Sequence, residues 1–320
     1  MKNVRSAKSV NYSQIDNRVE KISESREAMV LPSLEAYKEL KWTRDYFEQK
    51  PEEGYFIWVK KQINNPLATC IAISLPKVSQ DIRNLVVIEE SIEAEIYSIC
   101  SAIKKNLCGV HIGRSRIVVK ENSTLKMRHF HNWGRGDRVE SSLKFFLEKE
   151  AKLSYTFKCL AVPETLKTES DTFLDSRSSA DFGIAVLAEG SKVNMHDSIF
   201  LNGEKSSGMM KLRMIADKNS KISAHSKIIA NSAGKGHLDC TGLLLDENSS
   251  ISAVPELLNK DKNATLTHEA SIGKISEEEL NYLRSRGLTE DEAINLIVTG
   301  FLGEEAPFTY KGRILSKAYM

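Results

Sequence analysis

One short cassette recurs through the middle of the chain: a charged or Asn/Gly turn, then Ser or Ala, a polar residue, and an aliphatic that opens a strand-like run. Its copies are ENSTL from residue 121, KEAKL from 149, EGSKV from 189, KNSKI from 218, ENSSI from 247 and KNATL from 262. The aliphatics Val193, Ile222 and Ile251 follow one another at 29 residues, and Leu125 and Leu153 lie 28 apart. A period of this size, built from short alternating runs and tight turns, belongs to a stacked coil in which each turn covers the next. Propeller blades of about 40 residues do not match it, and a sandwich has no reason to repeat a turn cassette. The reading is a mainly β chain: a right-handed parallel β-helix, or β-solenoid, with two main strands per turn over residues 51–270. Within it AVPETLKTESDTFLDSRSS, residues 161–179, reads as an irregular corner.

The flanks read differently. Residues 1–50 show mixed three- and four-residue apolar spacings without alternation and read as an N-terminal helical segment, closed by Pro51. Residues 271–320 form a C-terminal segment whose signals are specific. Ser276 followed by Glu279 is a capping box with Gly287 as the terminating residue, which places a helix at 277–286; Thr289 followed by Glu292 opens a second. The helical pair reads as a lid on the coil, a docking surface, or both; Ile294, Ile297, Val298 and Phe301 share one face of the second helix and are the candidate partner-binding residues.

Composition removes several classes of function. Lys plus Arg number 45 against 43 Asp plus Glu, so no global basic surface argues for nucleic acid. No apolar run reaches the ~18–20 residues of a membrane span, and the N-terminus lacks an export-type apolar core, so a cytoplasmic location is expected. The five cysteines, Cys70, Cys100, Cys108, Cys159 and Cys240, are odd in number and never spaced C-x-x-C, which argues against a disulfide framework. A polysaccharide-cleaving β-helix enzyme is disfavoured by the same missing export signal and by the lack of Asp-rich coils.

His268–Glu269 is not a zinc-protease motif, since Ile272 stands where the second histidine would. Counting back 29 residues from Glu269 reaches Cys240, and 29 more reaches Lys211. The three are expected to stack on the outer face about 4.8 Å apart, as a functional column or as ordinary surface, with Lys211 in support. His268, in phase with Leu266 and Ala270, is expected to point inward.

The run GHLDCTGLLLDENSSISAVPELL and the later ATLTHEASIGKISEEELNYLRSRGLTEDEAINLIVTGFL resemble the SufB/SufD family of iron–sulfur cluster assembly scaffolds, as does GVHIGRSRIVVKENSTLKMRHFHNWG earlier in the chain. The likeness covers roughly residues 54–303 and is strongest after 185. It implies a β-helix flanked by helices, pairing with a second SufB/SufD-type subunit as homodimer or heterodimer, and docking of a SufC-like ABC ATPase on the C-terminal helices. This chain has no G-x-x-x-x-G-K-[ST], so ATP hydrolysis falls to such a partner and the chain itself is read as a non-enzyme. The resemblance further implies a transient iron–sulfur cluster built on Cys240 and Glu269, with His268 secondary, and handed to apo-proteins. A sulfur donor would deliver to Cys100, in IYSICSAI, with Cys108 in reserve; Cys70 and Cys159 read as structural, and His129, His131 and Trp133 as packing or turn residues. A flavin as electron source is compatible with the resemblance but is not inferred. The alternative within the family is a SufD-like structural subunit that carries the ATPase without a cluster.

Overall fold

The computed structural model describes residues 10–23 and 25–303. It is a β-solenoid of about eight turns, made of two sheets with ten and nine strands. The first sheet contains, among others, Glu93–Ala102, Thr124–Asn132, Lys152–Ala161, Ser179–Glu189, Ser207–Asp217, Lys235–Leu244 and Thr265–Lys274, each parallel to the next. The second contains Ser79–Ile88, Val110–Val119, Arg138–Leu147, Thr165–Leu174, Lys192–Leu201, Lys221–Ala230 and Ser250–Asn259. The chain passes from one sheet to the other at every corner, so each strand pairs with strands one coil away.

The cassette explains the corners. Ser191, Ser220 and Ser249 occupy the same place in successive coils, and the hydroxyls of Ser220 and Ser249 accept the backbone N–H of Ser191 at 3.1 Å and of Ser220 at 2.9 Å. Ser123 does the same at the opposite corner, accepting from the Ile92 N–H at 3.1 Å. A turn inside a stack must satisfy backbone donors that no ladder reaches, and a short hydroxyl side chain does so within the 4.8 Å spacing. Val193, Ile222 and Ile251 are register partners, as are Leu125 and Leu153. The copies divide between two corners: those from 121, 149 and 262 precede strands of the first sheet, and those from 189, 218 and 247 precede strands of the second.

Two expectations are corrected. Residues 161–179 are no irregular corner, for Thr165–Leu174 is a regular strand in register along all ten residues with both neighbours. Its inward residues are Leu166, Thr168, Ser170, Thr172 and Leu174, and the three hydroxyl side chains among them hide the alternation from a hydropathy reading. The N-terminal segment is only partly helical. Tyr12–Ile15, Arg18–Ile22 and Ala28–Pro32 are strands that extend the sheets, and helix among the described residues of this segment is confined to α1 (Ser33–Glu39) and a following 3-10 turn, Lys41–Tyr46. Sheet-edge pairing, which no local pattern reports, decides the state of these strands. Residues 1–9 and 304–320 lie outside the described residues.

At the C-terminus α2 (Glu277–Ser285) and α3 (Glu290–Leu302) begin as expected: Ser276 accepts from the Glu279 N–H at 3.0 Å, and Thr289 and Glu292 form a reciprocal capping box. Val298 and Leu302 of α3 are buried against Ala185, Leu187, Ile215 and Leu243 on the outer face of the first sheet, joined by Ile294, Ile297 and Phe301. The strands beneath carry unbroken apolar runs, IAVLA and LLL, because both of their faces are covered. No helix among the described residues is long and apolar enough to cross a membrane.

Candidate functional site

The last coil leaves one end of the solenoid open. Thr265–Lys274 and Ser250–Asn259 are the terminal strands of their sheets, and Val254, Leu258 and Ile272 stand exposed there. Cys240 lies one coil inside this end. Its register partners are Leu212 below and Ala270 above, and it shares the inward face with Leu238. The thiol is 1% exposed, and burial pushes its pKa up while the neighbouring Ser226 hydroxyl acts the other way.

This placement overturns the expected outward column. The coil between Leu212 and Cys240 is 28 residues long and the next, from Cys240 to Ala270, is 30. A uniform count of 29 therefore lands one residue off, and in a strand one residue exchanges the faces. The column that does stack outward is Lys211, Asp239 and Glu269. Arg213 donates to both Asp239 oxygens at 2.9 and 2.7 Å, and its guanidinium holds that carboxyl below its ordinary value. Glu269 is exposed on the outer face. His268, the register partner of Leu238, lies on the same inner-face side as Cys240, at the open end, where no other described residue covers it. The structure thus brings Cys240 and His268 to one side and puts Glu269 and Lys211 on the other.

Cys100 is buried in the strand Glu93–Ala102, five coils before Cys240 along the same sheet's inner face. Burial, with Cys70 nearby, raises its thiol pKa strongly. Its register partner is His131, and the His129 Nε2 stands 3.6 Å from its Sγ. His129 Nε2 and His131 Nε2 are 3.0 Å apart, and His129 Nδ1 meets the Tyr155 hydroxyl at 3.1 Å. Both histidines point inward from a strand, with Leu125 and Met127, and so are not turn residues. Desolvation keeps these rings neutral: His129 titrates near 4, His131 well below its ordinary value, and the neighbouring His111 near 3. Further along the interior, Ser170 donates to Asp197 at 2.5 Å, and burial raises that carboxyl to about 6. A seam of polar side chains thus runs inside an otherwise apolar coil, from Cys100 past Tyr155 and Asp197 toward Cys240. Sequence reasoning missed His111, Tyr155 and Asp197, although each falls on the inward parity of its strand. Cys108 sits exposed at a corner, Cys159 is fully buried, and Cys70 is half-buried.

The family model for the SUF system FeS cluster assembly SufBD core domain matches residues 73–301. The chain belongs to the SufBD family. An iron–sulfur cluster assembly SufBD family protein of Archaeoglobus fulgidus is 33% identical to this SufBD chain, over 93% of the chain and 85% of the relative. One of Methanothermobacter thermautotrophicus is 31% identical over 78% of the chain and 62% of that protein, so the chain spans less than two thirds of some relatives. A Staphylococcus epidermidis protein of the same description is 24% identical over 80% of the chain. The matched region takes in Cys100, Cys240, His268, Glu269 and most of α3.

Proposed function

We propose that this SufBD chain is a scaffold on which a nascent iron–sulfur cluster is built at the open end of the solenoid, with Cys240 and His268 as ligands. The observation that carries this is a thiol buried one coil beneath an unfinished end, on the same side as an uncovered imidazole. Thiolate and imidazole are both iron ligands, and an incomplete ligand set holds a cluster loosely enough to be passed on. A second subunit of the same type covering the exposed edge strands would supply further ligands and pair the unpaired backbone groups. Glu269, on the outer face, reaches such a cluster only if the last strand rearranges, so it ranks below His268.

Cys100 is the proposed acceptor of sulfur, and the interior polar seam links it to Cys240. The energy comes from a SufC-like ATPase docked on α2 and α3. Ile294, Ile297, Val298 and Phe301 are engaged with the solenoid, which leaves the exposed Tyr282 and Leu296 for that contact. Apo iron–sulfur proteins are the recipients.

Anaerobic reconstitution with iron and sulfide tests the reading by visible absorption and bound-iron assay. Cys240→Ser should lose the cluster, His268→Ala should hold it more weakly, and Glu269→Ala should change little. A cluster retained in Cys240→Ser would sink the assignment and leave the chain as a SufD-like structural subunit.

A further inference from the structure

The interior cluster around Cys100 has a geometry that packing alone does not require. Cys100, His129 and His131 each present one donor atom, and the three atoms lie within 4.8 Å of one another, all buried. A tetrahedral divalent ion with metal–nitrogen bonds of ~2.0–2.1 Å and a metal–sulfur bond of ~2.3 Å sets its ligand atoms about 3.3 Å apart for a nitrogen pair and about 3.6 Å apart for nitrogen and sulfur. The observed separations are 3.0 Å between the two Nε2 atoms and 3.6 Å between His129 Nε2 and Cys100 Sγ.

The surrounding hydrogen bonds suit the same end. With Tyr155 accepting from His129 Nδ1–H at 3.1 Å, the Nε2 lone pair faces the cluster, which is the outer support that metal-bound histidines ordinarily have. Without an ion the arrangement is poor. Both Cys100 and His131 converge on that one Nε2, and His131 Nδ1 is buried with no hydrogen-bond partner among the described residues. An imidazole placed there gains little from the protein alone, and an apolar side chain would fill the space at lower cost.

We infer that Cys100, His129 and His131 form a mononuclear site for a divalent first-row transition ion, iron(II) or zinc(II), inside the solenoid. The neutral imidazoles bind as they stand. The thiol binds by losing its proton to solvent, so one proton is released per ion, and three protein donors leave one coordination position free. Cobalt(II) is the probe, since a thiolate ligand gives it a charge-transfer band in the near ultraviolet.

Full-length protein is produced with cobalt in the medium and, separately, incubated with Co²⁺ anaerobically after purification. One cobalt per chain with the charge-transfer band is expected. In a Cys240→Ser background, which removes the proposed cluster thiolate, the band should remain, Cys100→Ser should abolish it, and Tyr155→Phe should weaken binding ~10-fold or more by removing the outer support. Competition with Fe²⁺ and with Zn²⁺ then identifies the preferred ion. Failure to retain stoichiometric cobalt by either route overturns the inference, as does a band that survives Cys100→Ser in that background or disappears with Cys240→Ser alone. Tyr155→Phe conserves the ring and keeps the test valid if Cys100→Ser misfolds. The assay involves no assembled cluster, so its outcome is separable from that of the reconstitution.

Discussion

Asp197→Asn should stabilise the protein by an amount that grows with pH. The carboxyl lies inside the coil, one oxygen accepting from Ser170 at 2.5 Å and the other without a hydrogen-bond partner among the described residues, and burial raises its pKa from 3.8 to about 6. The folded protein therefore keeps a proton there that the unfolded chain releases between pH 3.8 and about 6. Folding becomes less favourable as pH rises through that window, and the full loss is present above it. At about 1.4 kcal/mol per pKa unit, the wild type carries a penalty of about 3 kcal/mol near neutral pH, of which about 1 kcal/mol is already present near pH 4.5. Asparagine accepts from Ser170 in the same way and never ionises. Any cost of its amide, about 1 kcal/mol if the N–H groups find no acceptor, is the same at each pH. Urea unfolding of both proteins should thus show the variant gaining about 2 kcal/mol on the wild type between about pH 4.5 and 7.5. The histidines titrate equally in both proteins and cancel in this difference. A stability difference that is flat or shrinks with pH would refute the reasoning.

Gly203→Ala should cost more than about 2 kcal/mol in the urea midpoint, because a Cβ there would lie 2.0 Å from the Ser176 nitrogen and 2.3 Å from the Asp175 carbonyl carbon, backbone atoms that cannot swing aside. Ser220→Ala strands the buried Ser191 N–H and should cost about 1–3 kcal/mol by the same measurement, whereas Ser250→Ala, at an exposed strand start, should cost little. Val298→Asp puts a charge into the fully buried contact between α3 and the first sheet. Hydrogen exchange should then show α3 losing protection while the solenoid strands keep theirs.

The solenoid itself was legible in the sequence because its corners repeat a side-chain requirement: Ser220 and Ser249 accept the N–H groups of Ser191 and Ser220 in the neighbouring coil, and that need recurs once per turn. The caps at Ser276 and Thr289 were legible for the same reason, as local hydrogen bonding written in adjacent residues. The face of Cys240 was lost in counting by whole coils, because the corners differ in length; its parity with Leu238 within its own strand is what sets it. His129 and His131 could have been placed from their parity with Leu125 and Met127. What hid them was their polarity, since nothing local says that an interior will accept imidazoles. The burial of Val298 rests on a non-local fact: the apolar runs in Ser179–Glu189 and Lys235–Leu244 need a cover, and α3 provides it.

The unequal coils carry a consequence for how such a chain can change. The facing of each side chain is set by its position within its own strand of about ten residues, while the corners between strands vary in length. A residue gained or lost at a corner renumbers everything after it and turns no side chain around, whereas the same change within a strand inverts the remainder of that strand. The corners act as elastic spaces between rigid words. Over evolutionary time the lining of this interior is thus buffered against most insertions, and the spelling of each strand is the part under strict grammar.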